Sequence, residues 1–281
     1  YLAMREGQFD DIIDDVEKQV IWAGEANVKT PLSIIYLHGF TASSKEIRPV
    51  PDRVAAALGA NLYFTRFTGH GRQPAAMAEA TVGRWMDDVG EAIKIGNQIG
   101  ETVIIMATST GATLAAAAAL DEAAMENIGG IIFISPNFAI NSRAANLLTW
   151  PFARQWVPLV IGAEQQGIAR NDLHARYWTM NYPTTALMPM AAIVAAVDQE
   201  SFDDVDIPAL FYYSRQDQVV APDKTAEFAR SWGGASTTLI ASLTADDDKF
   251  SHIIAGDIVS PNQTASAADH ILAWIKRLQS R

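Results

Sequence analysis

Residues 102–120 read TVIIMATSTGATLAAAAAL. The opening run is apolar or β-branched without interruption, which suits a strand buried on both faces, and the alanine-rich remainder is strongly helix-forming. Between them lies Ala107-Thr108-Ser109-Thr110-Gly111, a serine flanked at two residues' distance by small side chains. A strand that passes straight into a helix across such a segment must bend sharply. Small residues permit the bend, and the bend holds the Ser109 hydroxyl at the edge of the sheet above the start of a helix. The positive field of the helix N-terminus favours a developing oxyanion there. The plainer reading, in which Ser109 only caps the helix, is outweighed by the strand–turn–helix context.

Outward from this stretch, β-branched and aromatic runs predict strands over 33–37, 61–67, 130–135, 209–213 and 237–241. Helical periodicity predicts helices over 51–58, 81–99, 110–125, 222–232 and 265–278, the last with Ile271, Trp274, Ile275 and Leu278 on one face. Strictly alternating strands and helices imply an α/β fold: a mostly parallel central sheet flanked by helices, with ligands bound beyond the carboxyl ends of the strands. Residues 18–24 suit an antiparallel edge strand, and 9–17 a helix or a loop. The alternation stops after Pro136, and residues 138–183 are rich in Trp, Pro and Met without clean strand signals. They read as an insertion over the sheet, followed by a helix over 184–197. The expected division is a core of 1–137 and 184–281 with an inserted segment of 138–183.

The other candidate site residues are sought at strand ends. Asp217 follows the strand 209–213, whereas Asp203, Asp204 and Asp206 precede it and Asp223 starts the next helix. His252 follows the last strand and precedes the last helix, which completes a chain order of Ser, Asp, His. His38 and His70 stand in glycine-containing turns after earlier strands and read as structural, as do His174 in the insertion and His270 in the final helix. The turn Leu37-His38-Gly39-Phe40 lets a backbone amide face the serine, so the amides of Phe40 and Thr110 are the expected oxyanion donors.

Composition narrows the function classes. The chain has 281 residues, 49% of them hydrophobic, enough for one large domain. The absence of cysteine excludes disulfides, thiolate metal sites and a cysteine nucleophile. A formal charge of −11 argues against nucleic-acid and anionic-lipid binding. The acidic run Asp246-Asp247-Asp248 reads as a solvated loop tip. No apolar run is long enough to span a bilayer. The chain starts at Tyr1 rather than at a methionine, which leaves room for a preceding signal, anchor helix or tag, so its compartment stays open. No glycine-rich nucleotide fingerprint is present, and no cofactor or metal is implied.

The combination of His38-Gly39-Phe40, Gly69-His70-Gly71, Thr108-Ser109-Thr110-Gly111, Asp217-Gln218-Val219-Val220 and Ser251-His252 resembles the α/β-hydrolase superfamily, specifically its esterase and monoacylglycerol lipase-like group. The likeness runs from about Ser33 to Leu278. It implies an eight-stranded sheet, a cap inserted after the sixth strand, and ester hydrolysis through an acyl-enzyme, with Ser109 as nucleophile, His252 as base and Asp217 as orienting acid. The inserted 138–183 segment becomes the cap, and its Trp150, Phe152, Trp156, Tyr177 and Trp178 either line an apolar acyl pocket or simply pack a small subdomain. The expected substrate is a small-molecule ester with an apolar acyl group. Thioesterase, lactonase and small-peptide hydrolase remain alternatives on the same three residues. A lyase or perhydrolase and a non-catalytic binding protein of this fold also stay open.

Overall fold

The computed structural model of the chain describes residues 1–142 and 144–280. Its strands are β1 (Gln19–Ile21), β2 (Thr30–Leu37), β3 (Asn61–Phe64), β4 (Gly100–Thr108), β5 (Ile128–Ile134), β6 (Glu164–Gln166), β7 (Asn181–Pro183), β8 (Ala209–Tyr213) and β9 (Ser236–Ile240). Seven of them form one sheet in the order β1-β3-β2-β4-β5-β8-β9. β1 is antiparallel to β3, and every other neighbouring pair is parallel. β1 is thus the expected antiparallel edge. The eighth strand implied by the resemblance is absent from this sheet among the described residues, so the insertion follows the fifth strand.

Helices α1 (Leu2–Glu6), α2 (Val50–Leu58), α3 (Val82–Ile99), α4 (Thr110–Ala118), α5 (Ala153–Ile161), α6 (Asp172–Tyr177), α7 (Leu187–Val197), α8 (Pro222–Ser231) and α9 (Thr264–Gln279) complete the chain. Alternate residues of the central strands feed two cores, which explains their unbroken apolar runs. Ile35, Ile105, Ile131, Phe133 and Phe211 pack on the face covered by α3, α4 and α8. Ile34, Tyr36, Ile104, Ile132 and Tyr212 pack on the face covered by α2 and α9, where Ile271, Trp274 and Ile275 meet the sheet. α4 stops at Ala118 rather than continuing to residue 125, because the chain turns at Leu120 and Asp121 Oδ1 accepts the Ala124 amide at 3.1 Å. Residues 9–17 are irregular, and α1, which periodicity does not signal, precedes them.

The inserted segment has more regular structure than its composition predicts. It contains a 3₁₀ turn (Ala145–Thr149), α5, α6 and an antiparallel ribbon of β6 and β7. It leaves the sheet by pairing with the turn after β8: Asn141 N donates to Val219 O at 3.0 Å and Ala221 N to Ala139 O at 2.8 Å. α7, as expected, returns the chain to the core and packs on α4. No helix among the described residues is long and apolar enough to cross a membrane.

Candidate active site

Ser109 is the hinge on which the site is built. Its backbone sits at φ 51° and ψ −117°, a conformation serine rarely adopts and which the surroundings must enforce. They do so with its amide donating to Ile134 O at 3.0 Å, while its carbonyl accepts from the amides of Ala112, Thr113 and Asn137 at 3.0–3.2 Å. Gly111 is required for the approach of α4 to β2: a Cβ there would lie 2.5 Å from His38 O and closer still to Leu37 O. That approach brings the first amide of α4, Thr110 N–H, to the end of β2.

His252 Nε2 lies 3.0 Å from Ser109 Oγ, and its Nδ1 lies 2.7 Å from Asp217 Oδ2. The other oxygen of Asp217 accepts from the amides of Val219 and Val220 at 2.8 and 3.0 Å, which fixes the carboxylate. All three side chains are buried. Burial pulls the imidazole toward its neutral form, but the Asp217 hydrogen bond and the charges of Asp217, Glu46 and Asp248 outweigh it, so His252 titrates above the ordinary histidine value. The structure therefore brings Ser109, Asp217 and His252 into one hydrogen-bonded line, in contact with a cavity of about 350 Å³.

Phe40 and Thr110 face the same cavity, and neither amide donates to another described residue. Thr110, as the first residue of α4, has no intrahelical acceptor. The Gly39–Phe40 peptide is held through its carbonyl, which accepts from His38 Nδ1 at 2.9 Å and from Ala42 N at 3.3 Å. Because His38 Nε2 accepts the Phe67 amide at 3.1 Å, the ring proton stays on Nδ1. Burial holds His38 well below the usual histidine value, so it remains neutral. In a trans peptide, fixing the carbonyl also fixes the opposite direction of the Phe40 N–H.

The tryptophans of the insertion divide. Trp178 lines the cavity with Phe40, Met180, Tyr182 and Met190. Trp150 stands exposed beside a shallow outer groove with Phe152, and Trp156 packs against Ala153, Val157 and Met188, its indole N–H donating to Pro151 O at 3.2 Å. Trp150 and Trp156 are thus off the cavity, because α5 packs its Ala153, Trp156 and Val157 side against Met188 and leaves Trp150 at the outer groove. Tyr177 is buried in a separate cluster with Val16 and Ile253.

Sequence reasoning missed Glu46, Asn137, Asp248 and Arg170, and misplaced Asp247. Glu46 lines the cavity with its carboxyl buried, accepting from Gly39 N at 2.7 Å and Tyr36 Oη at 2.9 Å. Burial raises its pKa to about 7. Asn137 joins Thr110 Oγ1 to the wall, 3.4 Å from it. The acidic run is also not a solvated tip: Asp246 is exposed, but Asp247 and Asp248 are buried. Asp247 gathers Thr244 and Gln263, whereas Asp248 Oδ2 accepts the amides of His252 and Ile253 at 3.0 and 2.7 Å and Oδ1 that of Phe250 at 2.9 Å. Arg170, from the insertion, forms an ion pair with the same Oδ1. The sequence signal was an acid four residues before the histidine, the spacing at which a carboxylate can cap the turn carrying it.

Residues 28–245 match the family described as serine aminopeptidase, S33. A thermostable monoacylglycerol lipase from Bacillus sp. (strain H-257) is 26% identical over 192 residues, 68% of this chain and 73% of that protein. Among solved structures, one of the metagenome-derived lipolytic enzymes LipS and LipT superposes with a TM-score of 0.74 at 22% identity, covering 95% of this chain and 99% of that one. A soluble variant of monoglyceride lipase from Saccharomyces cerevisiae, in complex with a substrate analogue, gives 0.67 at 12% identity over 93% and 91%. With the family match spanning most of the sequence and the fold shared over nearly all of it, the chain belongs to the serine aminopeptidase S33 family of the α/β-hydrolase fold.

Proposed function

We propose that the chain is a serine hydrolase that cleaves carboxylic esters with an apolar acyl group through an acyl-enzyme on Ser109. The observation that carries this reading is the line Ser109 Oγ–His252–Asp217, at 3.0 and 2.7 Å, opening on a largely apolar cavity. Neutral His252 accepts the Ser109 proton at Nε2 as Oγ attacks the ester carbonyl, and Asp217 stabilises the imidazolium. The amides of Phe40 and Thr110 hold the oxyanion, and removal of one such donor typically costs about 3 kcal/mol. The leaving alcohol takes the proton from Nε2. Water then attacks the acyl-enzyme, giving its proton to Nε2, and Ser109 departs with that proton as the acid is released. Residues 138–183 act as the cap, with Trp178 among the side chains it contributes to the acyl wall.

Ester chemistry is favoured because relatives on this fold carry lipase descriptions. The family's own description supports a second reading, hydrolysis of small peptides on the same three residues.

The test is the initial rate on p-nitrophenyl esters from two-carbon to long acyl chains, with an aminoacyl p-nitroanilide alongside. The expected result is ester turnover that collapses in Ser109→Ala and His252→Ala, with an optimum set by cavity depth. Because His252 must be neutral and titrates above its ordinary value, the rate rises with pH with a midpoint above about 6.5. Turnover of the anilide alone would put the peptide reading first; inertness toward both would favour a binding protein.

A further inference from the structure

The turn that carries His252 is organised around one carboxylate. Asp248 receives three amide hydrogen bonds, from Phe250, His252 and Ile253. Its own amide donates to Ser260 Oγ at 3.0 Å, and that hydroxyl donates to Ile253 O, which closes the turn from the other side. Ser251, in the middle, is held at φ 55°, a left-handed conformation that a non-glycine residue keeps only when its neighbours enforce it. Asp248 therefore holds the backbone of the turn that carries His252, without touching the reacting atoms.

The counter-charge to this carboxylate comes from elsewhere in the chain. Arg170 lies between β6 and α6, in the inserted segment that also supplies Gly167, Ile168, His174, Trp178 and Met180 to the cavity wall. Its guanidinium reaches Asp248 Oδ1 and stands 5.4 Å from the centre of the Phe250 ring, while its backbone amide donates to His174 Nδ1 at 3.2 Å. Asn171, next in sequence, donates to Ile258 O at 2.7 Å, so the insertion is fastened to both sides of the His252 turn.

We propose that Asp248 is the positioning residue of His252 and that the Arg170–Asp248 pair couples the seating of the inserted segment over the serine to the placement and charge of the imidazole. Its bearing on catalysis rests on the ester-hydrolase reading; the pairing itself does not. When residues 167–180 are in place, Arg170 neutralises Asp248 and the turn is rigid. When they lift, a buried carboxylate is left unpaired beside His252 and the amides it holds are loosened.

The groups facing His252 are Asp217 from the turn after β8, Glu46 from the turn after β2, Asp248 from its own turn and His174 from the insertion, with Arg170 reaching the site through Asp248. Asp217 and Glu46 are untouched by changes at Arg170 or Asp248, so the electrostatic effects of the two have opposite signs. Removing the guanidinium exposes His252 to an uncompensated negative charge and raises its titration midpoint; removing the carboxylate lowers it.

The test is an NMR titration of the His252 imidazole in wild type, Arg170→Gln, Arg170→Lys and Asp248→Asn, together with hydrogen exchange of the His252 and Ile253 amides. Arg170→Gln is expected to move the midpoint up by at least about 0.3 pH unit, and Asp248→Asn down by a similar amount or more. Arg170→Lys keeps the charge and returns the midpoint close to wild type, which a merely structural role would not require. Both amides are expected to exchange faster in Arg170→Gln. An unchanged midpoint and unchanged exchange in Arg170→Gln overturn the inference, even if Asp248→Asn fails to fold. Ester hydrolysis is scored separately: wild type with the expected titration but no ester turnover would remove ester chemistry and leave the coupling standing.

Discussion

The strand-end site and the inserted segment are built on opposite terms. At the strand ends Ser109, Asp217 and His252 are 7%, 5% and 8% exposed, each fixed by backbone hydrogen bonds and, at Ser109, by a strained turn. In the insertion Phe152, Leu159 and Ile168 are 77%, 86% and 84% exposed, and its regular elements are short. The contrast separates two tasks. A sheet packed on both faces can enforce a costly geometry at its edge, which a proton-transfer line needs, whereas a thin layer of short elements can vary its inner wall without disturbing that line. Arg170 is one of the points where the two meet.

The largest break in this comparison is expected at Gly111. Alanine there collides with Leu37 and His38 carbonyls, forcing α4 away from β2 and separating the Thr110 amide from that of Phe40. Gly111→Ala should lower kcat on a p-nitrophenyl ester by about 100-fold or more, the effect of losing an oxyanion donor, and should lower Tm as well. A variant with wild-type kcat would show that the close approach is not what forms the site.

Glu46 sharpens the comparison from inside the rigid region. Its carboxyl, raised by burial from 4.5 to about 7, is a cost to the fold that is absent below pH 4.5, grows as pH rises toward 7 and is constant beyond. The stability of Glu46→Gln relative to wild type should therefore increase by about 3 kcal/mol between pH 4 and pH 8, measured by urea denaturation. No change in that difference would mean that the carboxyl titrates normally.

The smallest effects belong to the insertion. Trp178→Ala should shift the acyl-chain optimum and change kcat/KM by about tenfold, because it opens the cavity wall. Phe152→Ala, on the outer face, should leave soluble short-chain esters within about twofold. Equal effects of the two would erase the distinction between inner wall and outer face.

The same contrast explains what was legible in the sequence. Ser109, Asp217 and His252 could be placed because each follows a strand of unmistakable apolar pattern, and a parallel sheet gathers such positions at one edge. Trp150 and Trp156 could not be assigned a face, since an irregular segment offers no period to say which side looks inward. Asp248 was hidden by its neighbours: a run of three acids ordinarily marks a solvated loop, and only the fold shows that the second and third turn inward to hold backbone amides. Glu46 carries no motif, and its function as anchor of Gly39 depends on a contact across a turn rather than on spacing. The sheet's seventh and last strand, β9, is legible from its β-branched pattern, whereas the end of α4 is not, because alanine-rich sequence continues past the turn that stops it.

The central claim is that Ser109 is an activated nucleophile, and covalent labelling with a serine-directed fluorophosphonate, read by intact mass and peptide mapping, tests it most directly. The account predicts a single adduct on Ser109 in the wild type, slower labelling in His252→Ala and none in Ser109→Ala; an unlabelled wild type, or an adduct that persists in Ser109→Ala, would contradict it.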